Sequence, residues 1–213
     1  YKRQHEGEAS KIALIEDGRL FELHTEEQDS EYVVGDLFVG KVKKLAPNLN
    51  AAFVNIGSDK DAFLHYQDLG PEFRTYQNLL KGILNKKIQS PSLKSFPIEE
   101  EIDKNGMIDK VLSVGDEVLL QITKEPISTK GARVSTQISL TGRYLVLIPF
   151  DQKISVSKKI KDSQEKTRLK TLIESIKPEG FGVIIRTVAE NKKVAELHND
   201  MNQLIEKWNI CFK

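Results

Sequence analysis

Cysteine is nearly absent from this sequence of 213 residues, since Cys211 is the only one. A single thiol cannot form an internal disulfide or a cysteine-rich zinc site. Long hydrophobic runs are missing too: no stretch approaches the roughly 18 apolar residues of a membrane-spanning helix, and the polar first residues do not resemble a signal peptide. We therefore expect no membrane span and a cytoplasmic location.

A charge excess of either sign is also lacking. Lys and Arg total 32 and Asp and Glu total 31, which gives a net charge of +1. No global field draws such a protein to a polyanion, so any polyanion site must be local. The 39% hydrophobic content supports one large domain or two small ones, which excludes a collagen, a mucin-like stalk or a fully disordered tail.

Short β-type runs occupy much of the chain. Asp17-Gly18 suits a type I′ turn, so a hairpin is predicted from residues 11–16 and 19–24. Further runs, separated by Gly, Pro and Asn turns, indicate a small barrel or sandwich. They are residues 37–46, 51–56, 61–66, 117–124 and 133–140. Between residues 70 and 111 the alternation stops, and we expect an insertion there, part helical and part irregular, that is functional or mobile.

The last third of the chain has an α/β pattern. It predicts a strand over 143–149, a helix capped by Asp162 or Ser163, and a buried strand over 182–186. A final amphipathic helix runs from Val194 to Trp208. Its apolar stripe covers only about two heptads, so packing within the chain is favoured over a coiled-coil dimer. Because the chain begins with Tyr and closes on this helix, we expect it to be a piece of a longer protein.

Alternation along two predicted barrel strands places two aromatic rings on one face. If the small and branched residues face the core, Phe53, Phe63 and His65 point the other way, and Lys41 and Lys43 of the preceding strand border them. Aromatic faces framed by cations bind the bases of single-stranded nucleic acid in OB-folds. The alternative is that a β-bulge inverts the pattern and places both phenylalanines in the core.

Several longer segments resemble one family. They are residues 40–42 (GKV), 49–57 (LNAAFVNIG), 62–65 (AFLH), 129–131 (TKG), 138–149 (ISLTGRYLVLIP) and 182–187 (GVIIRT). In this order, over about Lys11 to Trp208, they are similar to the amino-terminal half of bacterial ribonuclease E/G endoribonucleases. The insertion between Gly70 and Val111 departs from the pattern of that family.

The resemblance implies an α+β multidomain architecture. Residues 1–34 would form the opening hairpin of a partial RNase H-like subdomain. Residues 35–136 would form an S-one-type OB-fold β-barrel that binds RNA, with the insertion at 71–111. Residues 137–213 would form an α/β region that senses the 5′-monophosphate end of an RNA.

The same resemblance implies two groups of binding residues. Phe53, Phe63 and Lys130 match positions that hold single-stranded RNA, and the alternation had already selected both rings. Arg186 and Thr187 match an Arg-Thr pair that binds the 5′ phosphate, where a guanidinium can bind two oxygens in parallel and a hydroxyl completes the shell. Gly142 and Val146 match family residues that line the same pocket.

For the full-length protein, the resemblance implies a magnesium-dependent endoribonuclease of rRNA processing and mRNA decay. Its partner would be single-stranded, 5′-monophosphorylated RNA, and we expect a homo-oligomer. The family's magnesium-binding aspartates lie downstream of the matched region. We therefore expect no catalytic residue, metal ligand or cofactor in this chain, and no activity from it alone.

Two other functions remain open from the sequence. One is a stand-alone OB-fold RNA-binding or RNA-chaperone module that cuts nothing. The other is an interaction scaffold whose partner surfaces are the acidic insertion and the terminal helix.

Glu101, Asp103, Asn105 and Gly106 mimic part of a calcium loop, but Leu112 stands where the bidentate glutamate is required, so a solvated loop is favoured.

Overall fold

A computed structural model describes residues 2–6, 9–16, 19–27, 32–88, 93–127 and 129–211. The chain divides into two compact units, Tyr1–Val33 and Val34–Lys213. The first unit holds a three-stranded antiparallel sheet. Its strands, in sheet order, are β1 (Lys2–Glu6), β2 (Ala9–Glu16) and β3 (Arg19–Glu27).

The hairpin predicted in this unit is confirmed, because Glu16 pairs with Arg19. Its turn, Asp17-Gly18, lies outside the described residues. The sequence patterns did not predict β1, because its residues, KRQHE, lack the apolar alternation that strand prediction uses. That this unit belongs to an RNase H-like subdomain stays a prediction.

The second unit begins with a closed five-stranded barrel of OB-fold type. The strands follow the order β4-β5-β6-β8-β7 around the barrel, and only the β6–β8 pair among them is parallel. Their bounds are β4 (Leu37–Ala46), β5 (Ala51–Asn55), β6 (Ala62–His65), β7 (Glu117–Lys124) and β8 (Arg133–Ser135). Small and branched side chains fill the interior: Ala52, Val54, Ala62 and Leu64 are fully buried.

The predicted insertion joins β6 to β7 and contains helix α1 (Phe73–Leu84). Tyr76 and Leu79 of this helix belong to the hydrophobic core, and the Tyr76 hydroxyl donates to the carbonyl of Pro149 at 3.2 Å. Farther along, the Asn50 side chain donates to the carbonyl of Gly106 at 3.0 Å and accepts from the amide of Ile108 at 2.7 Å. The described part of the insertion is therefore an integral part of the fold.

A four-stranded sheet follows the barrel, in the order β11-β12-β10-β9. β11 runs parallel to β12 and the other neighbours are antiparallel. The bounds are β9 (Leu140–Thr141), β10 (Leu145–Pro149), β11 (Ile154–Val156) and β12 (Phe181–Ile185).

The single strand predicted over 133–140 is wrong, because that segment is divided between β8 of the barrel and β9 of the second sheet. Between them the backbone bonds to a side chain instead of a strand. Gln121 accepts from the amide of Ser139 and donates to its carbonyl, both at 2.9 Å. This side chain satisfies the groups that a continuous strand would have paired with a neighbour.

Two helices complete the second unit, α2 (Ser163–Ile176) and α3 (Val194–Ile210). Asp162 accepts from the amide of Gln164 at 2.8 Å, so it is the N-cap of α2, as predicted. On α3, Leu197, Met201, Leu204 and Trp208 are at most 1% exposed. This burial confirms packing within the chain in place of a coiled-coil dimer. Among the helices of the described residues, none is long and apolar enough to cross a membrane.

Candidate nucleic-acid interface

Phe53 and Phe63 lie side by side on the outer face of the barrel. They are directly paired across β5 and β6, and their ring centroids are 5.8 Å apart in an edge-to-face arrangement. Both side chains are half-buried, whereas Ala52, Val54 and Leu64 between and beside them are fully buried. The alternation predicted from the sequence is confirmed, and the inverted alternative is wrong.

His65 extends this aromatic face along β6. Its ring centroid lies 6.4 Å from that of Phe63. The Nδ1 atom accepts a hydrogen bond from the amide of Gln67 at 3.1 Å, which fixes the orientation of the imidazole. The histidine is therefore held beside the two phenylalanine rings.

A β-bulge in β4 changes which lysine faces the rings. Lys41 pairs with Asn55, but the register shifts after Val42, so that Lys44 is the residue opposite Phe53. Lys43, selected from the sequence, instead forms an ion pair with Asp61 at 3.0 Å. All three lysines are exposed. The sequence analysis missed Lys44, because strict alternation does not include a bulge.

A groove of about 770 Å³ lies beside the aromatic face, between it and the loop that joins β7 to β8. Four cations and two carboxylates line it together with apolar residues. The lining residues are Phe53, Lys60, Asp61, Phe63, Lys124, Glu125, Ile127, Thr129, Lys130, Gly131 and Arg133. Arg133 pairs across the strands with Phe63, but its guanidinium is held by Asp68 at 2.9 and 3.2 Å. The lysines therefore supply most of the positive charge that can meet a ligand.

Lys130 projects from the loop over this groove. The backbones of Ile127 and Lys130 bond to each other in both directions, at 2.9 and 3.2 Å. A Cβ on the next residue, Gly131, would come within 2.1 Å of the carbonyl oxygen of Asp61. Only glycine fits there, and its small size lets the loop approach the barrel closely.

A second cluster lies where β12 ends. The Arg186 guanidinium donates through Nη1 to the carbonyls of Gly142 at 2.6 Å and Arg143 at 3.3 Å. The arginine is exposed, and its other guanidinium N–H groups have no acceptor in the part of the chain that the structure describes. The side chain is thus fixed in direction while still able to bind an anion.

Thr187, the next residue, has a partner that the sequence analysis missed. The parallel pairing of β11 with β12 brings Ser157 next to it, and the two hydroxyl oxygens are 2.9 Å apart. Both residues are half-buried. The two hydroxyls thus lie on the β11 side of β12, whereas the Arg186 guanidinium is bonded on the β10 side, to the carbonyls of residues 142 and 143.

Val146 lies on the outer face of the same sheet. It pairs with Thr141 on β9 and with Ile184 on β12, and all three have some exposure to solvent. Arg186 follows Ile184 by two positions, so it projects from the same face of the extended chain. The valine and the guanidinium thus lie near each other on one side of the sheet.

Comparison with known proteins identifies the family to which this chain belongs. The Ribonuclease E/G family model matches residues 139–213. "Ribonuclease G" of Haemophilus influenzae and of Escherichia coli strain K12 are each 34% identical over 199 residues, or 93% of this chain and 37% of theirs. "Ribonuclease E" of Nostoc sp. is 32% identical over 206 residues, or 93% of this chain and 26% of its own. The chain belongs to the ribonuclease E/G family.

The chain spans little more than a third of the length of the Ribonuclease G relatives. Within the described residues, no group of three or more His, Cys, Asp or Glu side chains could hold a metal ion. That the magnesium ligands of the complete enzyme lie outside this chain stays a prediction.

Asp200 of α3 supports the Arg186 cluster in this member of the ribonuclease E/G family. Its buried carboxylate accepts from three successive amides, those of Arg143, Tyr144 and Leu145, at 2.8 to 3.0 Å. A Cβ on Gly142 would lie 2.7 Å from both carboxylate oxygens. Asp200 therefore fixes the turn whose carbonyls orient Arg186, and glycine is required at 142.

Asp200→Ala is expected to lower the free energy of unfolding by about 2–4 kcal/mol, because three amides, two of them buried, lose their charged acceptor. Urea denaturation measures this change. The control is Asn199→Ala, an exposed neighbour on the same helix, which should unfold at the wild-type urea concentration. Equal midpoints for the two variants would contradict the role given to Asp200.

Glu165 of α2 fixes the loop that follows Thr187. It accepts two bonds from the Arg168 guanidinium, at 2.6 and 2.7 Å, and one from the amide of Asn191 at 2.8 Å. Asn191 has a left-handed backbone with φ of 59°. The Arg168 bonds first, and the Asn191 amide second, hold the pKa of Glu165 below its ordinary value against the raising effect of burial.

This lowered pKa predicts a loss of stability in acid. A carboxyl whose pKa is lower in the folded protein stabilises it fully above the ordinary glutamate pKa of about 4.3, and that contribution disappears as the pH falls through the folded-state pKa. Glu165→Gln should thus be less stable than wild type at neutral pH, and the two stabilities should converge in acid. Thermal unfolding as a function of pH tests this, with exposed Glu174→Gln as the control.

Proposed function

We propose that this chain is the RNA-recognition part of an endoribonuclease of the E/G type. In this proposal, single-stranded RNA lies along the barrel groove and its 5′-monophosphate binds at Arg186 and Thr187. The observation that carries the proposal is the pair of partly exposed rings, Phe53 and Phe63, set on the outer face of an OB-fold barrel beside a lysine-lined groove.

The groove suits a single strand because it offers both aromatic and cationic contacts. Unpaired bases can stack on Phe53 or Phe63, each stack being worth about 1–3 kcal/mol. Lys44, Lys60 and Lys130 supply charge for the phosphodiester backbone. A duplex keeps its bases stacked on each other, so it cannot use the rings.

The Arg186 cluster suits a terminal phosphate. The carbonyls of Gly142 and Arg143 hold the guanidinium, so its free N–H groups are already oriented when an anion arrives. In this proposal the Thr187 hydroxyl, which is at the same end of β12 and contacts Ser157, completes the phosphate shell, and Val146 offers an apolar surface for the first nucleotide. A 5′-hydroxyl end would lose the charged part of these contacts.

In the whole protein, binding at both places would hold the RNA in the correct position for cleavage at a site outside this chain. We propose that the complete enzyme hydrolyses single-stranded RNA with magnesium, acts in rRNA processing and mRNA decay in the cytoplasm, and forms a homo-oligomer. This chain would supply orientation and preference for 5′-monophosphorylated ends, without turnover of its own.

Fluorescence anisotropy with a labelled RNA of about ten nucleotides, within the ~4–16-nucleotide footprint of an OB-fold, tests this function. The single strand should bind much more tightly than a duplex of the same sequence, and chelating divalent metals should not abolish binding. Gel analysis after incubation with magnesium should show intact RNA. Equal affinity for the duplex would contradict the proposed recognition of single strands. Cleavage of the RNA would contradict the proposal that this chain has no turnover of its own.

A further inference from the structure

Ile127 is 71% exposed, the largest value among the large apolar side chains whose exposure the structure describes. It lies in the loop between β7 and β8, in which its backbone is bonded to that of Lys130 at 2.9 and 3.2 Å. Scattered apolar residues on a surface are normal and need no partner. Ile127 differs from such scattered residues in its position beside the candidate binding groove.

Ile127 lines the same groove as Phe53 and Phe63, on the loop side. This loop joins the fourth and fifth strands of the barrel, and OB-folds use that loop and the face of strands two and three to bind oligonucleotides. The close contact of Gly131 with the Asp61 carbonyl keeps the loop near β6. Two apolar walls, one aromatic and one aliphatic, therefore border one groove.

The charges around these walls favour an anionic ligand with flat apolar parts. Lys60, Lys124 and Lys130 line the groove. Of its two carboxylates, Asp61 pairs with Lys43 at 3.0 Å, and Glu125 accepts from the amide of Val34 at 3.3 Å. A nucleobase on a phosphodiester chain combines the two properties that these walls and lysines require.

We propose that Ile127 packs on a nucleobase of the bound strand from the side opposite to the phenylalanine rings. The loop then has two roles: Ile127 contacts a base and Lys130 contacts the backbone phosphate. This inference rests on the proposed function, since it requires that the groove bind RNA, and it adds a base-binding residue to that site.

Anisotropy titrations with two ligands separate the roles. One ligand is a single-stranded RNA, and the other is an abasic strand with the same sugar-phosphate chain and no bases. Ile127→Ala should weaken RNA binding by about 5- to 20-fold, the loss expected for a few methylene contacts, and leave the abasic strand unaffected. Lys130→Ala should weaken both ligands. The matched control is Ile98→Ala, an isoleucine 60% exposed outside the groove, which should change neither.

The outcomes separate a failure of this inference from a failure of the proposed function. If Ile127→Ala leaves RNA affinity unchanged while Phe53→Ala reduces it, Ile127 contacts no base and only the inference is wrong. An equal loss for RNA and abasic strand would also overturn it, because the contact would then be to the backbone. If neither variant changes RNA affinity, the proposed function itself fails.

Discussion

Replacing Phe53 and Phe63 together with alanine is expected to weaken binding of single-stranded RNA by about 2–6 kcal/mol, the loss of two stacked bases. The rings are half-buried and lie on the face opposite to the barrel interior, so their removal should change folding little. Fluorescence anisotropy measures the affinity, and circular dichroism with urea denaturation measures the stability.

Leu64→Ala is the matched control, because Leu64 follows Phe63 on the same strand but is fully buried. It should lower the free energy of unfolding by about 2–5 kcal/mol through loss of core packing. Severe destabilisation of the double phenylalanine variant, comparable to that of Leu64→Ala, would mean that the rings are core residues. Unchanged RNA affinity would mean that the strand binds elsewhere.

Arg186→Ala is expected to weaken binding of a 5′-monophosphorylated oligonucleotide by about 10- to 100-fold, since a charge-assisted hydrogen bond is worth roughly 1.5–3 kcal/mol. Binding of the same oligonucleotide with a 5′-hydroxyl should stay near the wild-type value, because it makes no such contact. The affinity gap between the two oligonucleotides should therefore narrow, as measured by parallel titrations.

Arg74→Ala controls for the loss of one positive charge. Arg74 is exposed on α1, where it pairs with Glu100 at 3.5 Å, and it lines neither binding site. Replacing Arg74 should leave the difference in affinity between the two oligonucleotides at its wild-type value. The assignment of the phosphate site would be refuted if Arg186→Ala also preserved that gap.

Features that depend on neighbouring residues could be predicted from the sequence. The alternation of Phe53 with buried Ala52 and Val54 is local, and so is the capping of α2 by Asp162. The bulge that turns Lys44 toward Phe53 is not, because it depends on how β4 pairs with β5. The division of the segment 133–140, predicted as one strand, was missed for the same reason. It depends on Gln121, 18 residues before Ser139, whose side chain bonds to the Ser139 backbone.

The Arg186 cluster shows most clearly what local sequence patterns cannot predict. Arg186 and Thr187 were selected because they match a family motif, not because of any local pattern. Ser157 was missed because only the parallel pairing of β11 with β12 brings it next to Thr187. Asp200 did give a signal: it follows Leu197 by three positions, so a carboxylate falls near the buried face of α3. Its amide partners, more than fifty residues earlier, could not be predicted.

Nitrogen–proton correlation NMR of the isotope-labelled chain, titrated with one oligonucleotide bearing either 5′ group, tests the central claim most directly. Both RNAs should shift the amides of β5, β6 and the loop from Lys124 to Arg133. The 5′-monophosphate should add shifts at residues 142–146 and 186–188 that the 5′-hydroxyl does not cause. Shifts confined to other surfaces, or the same pattern from both oligonucleotides, would contradict the account.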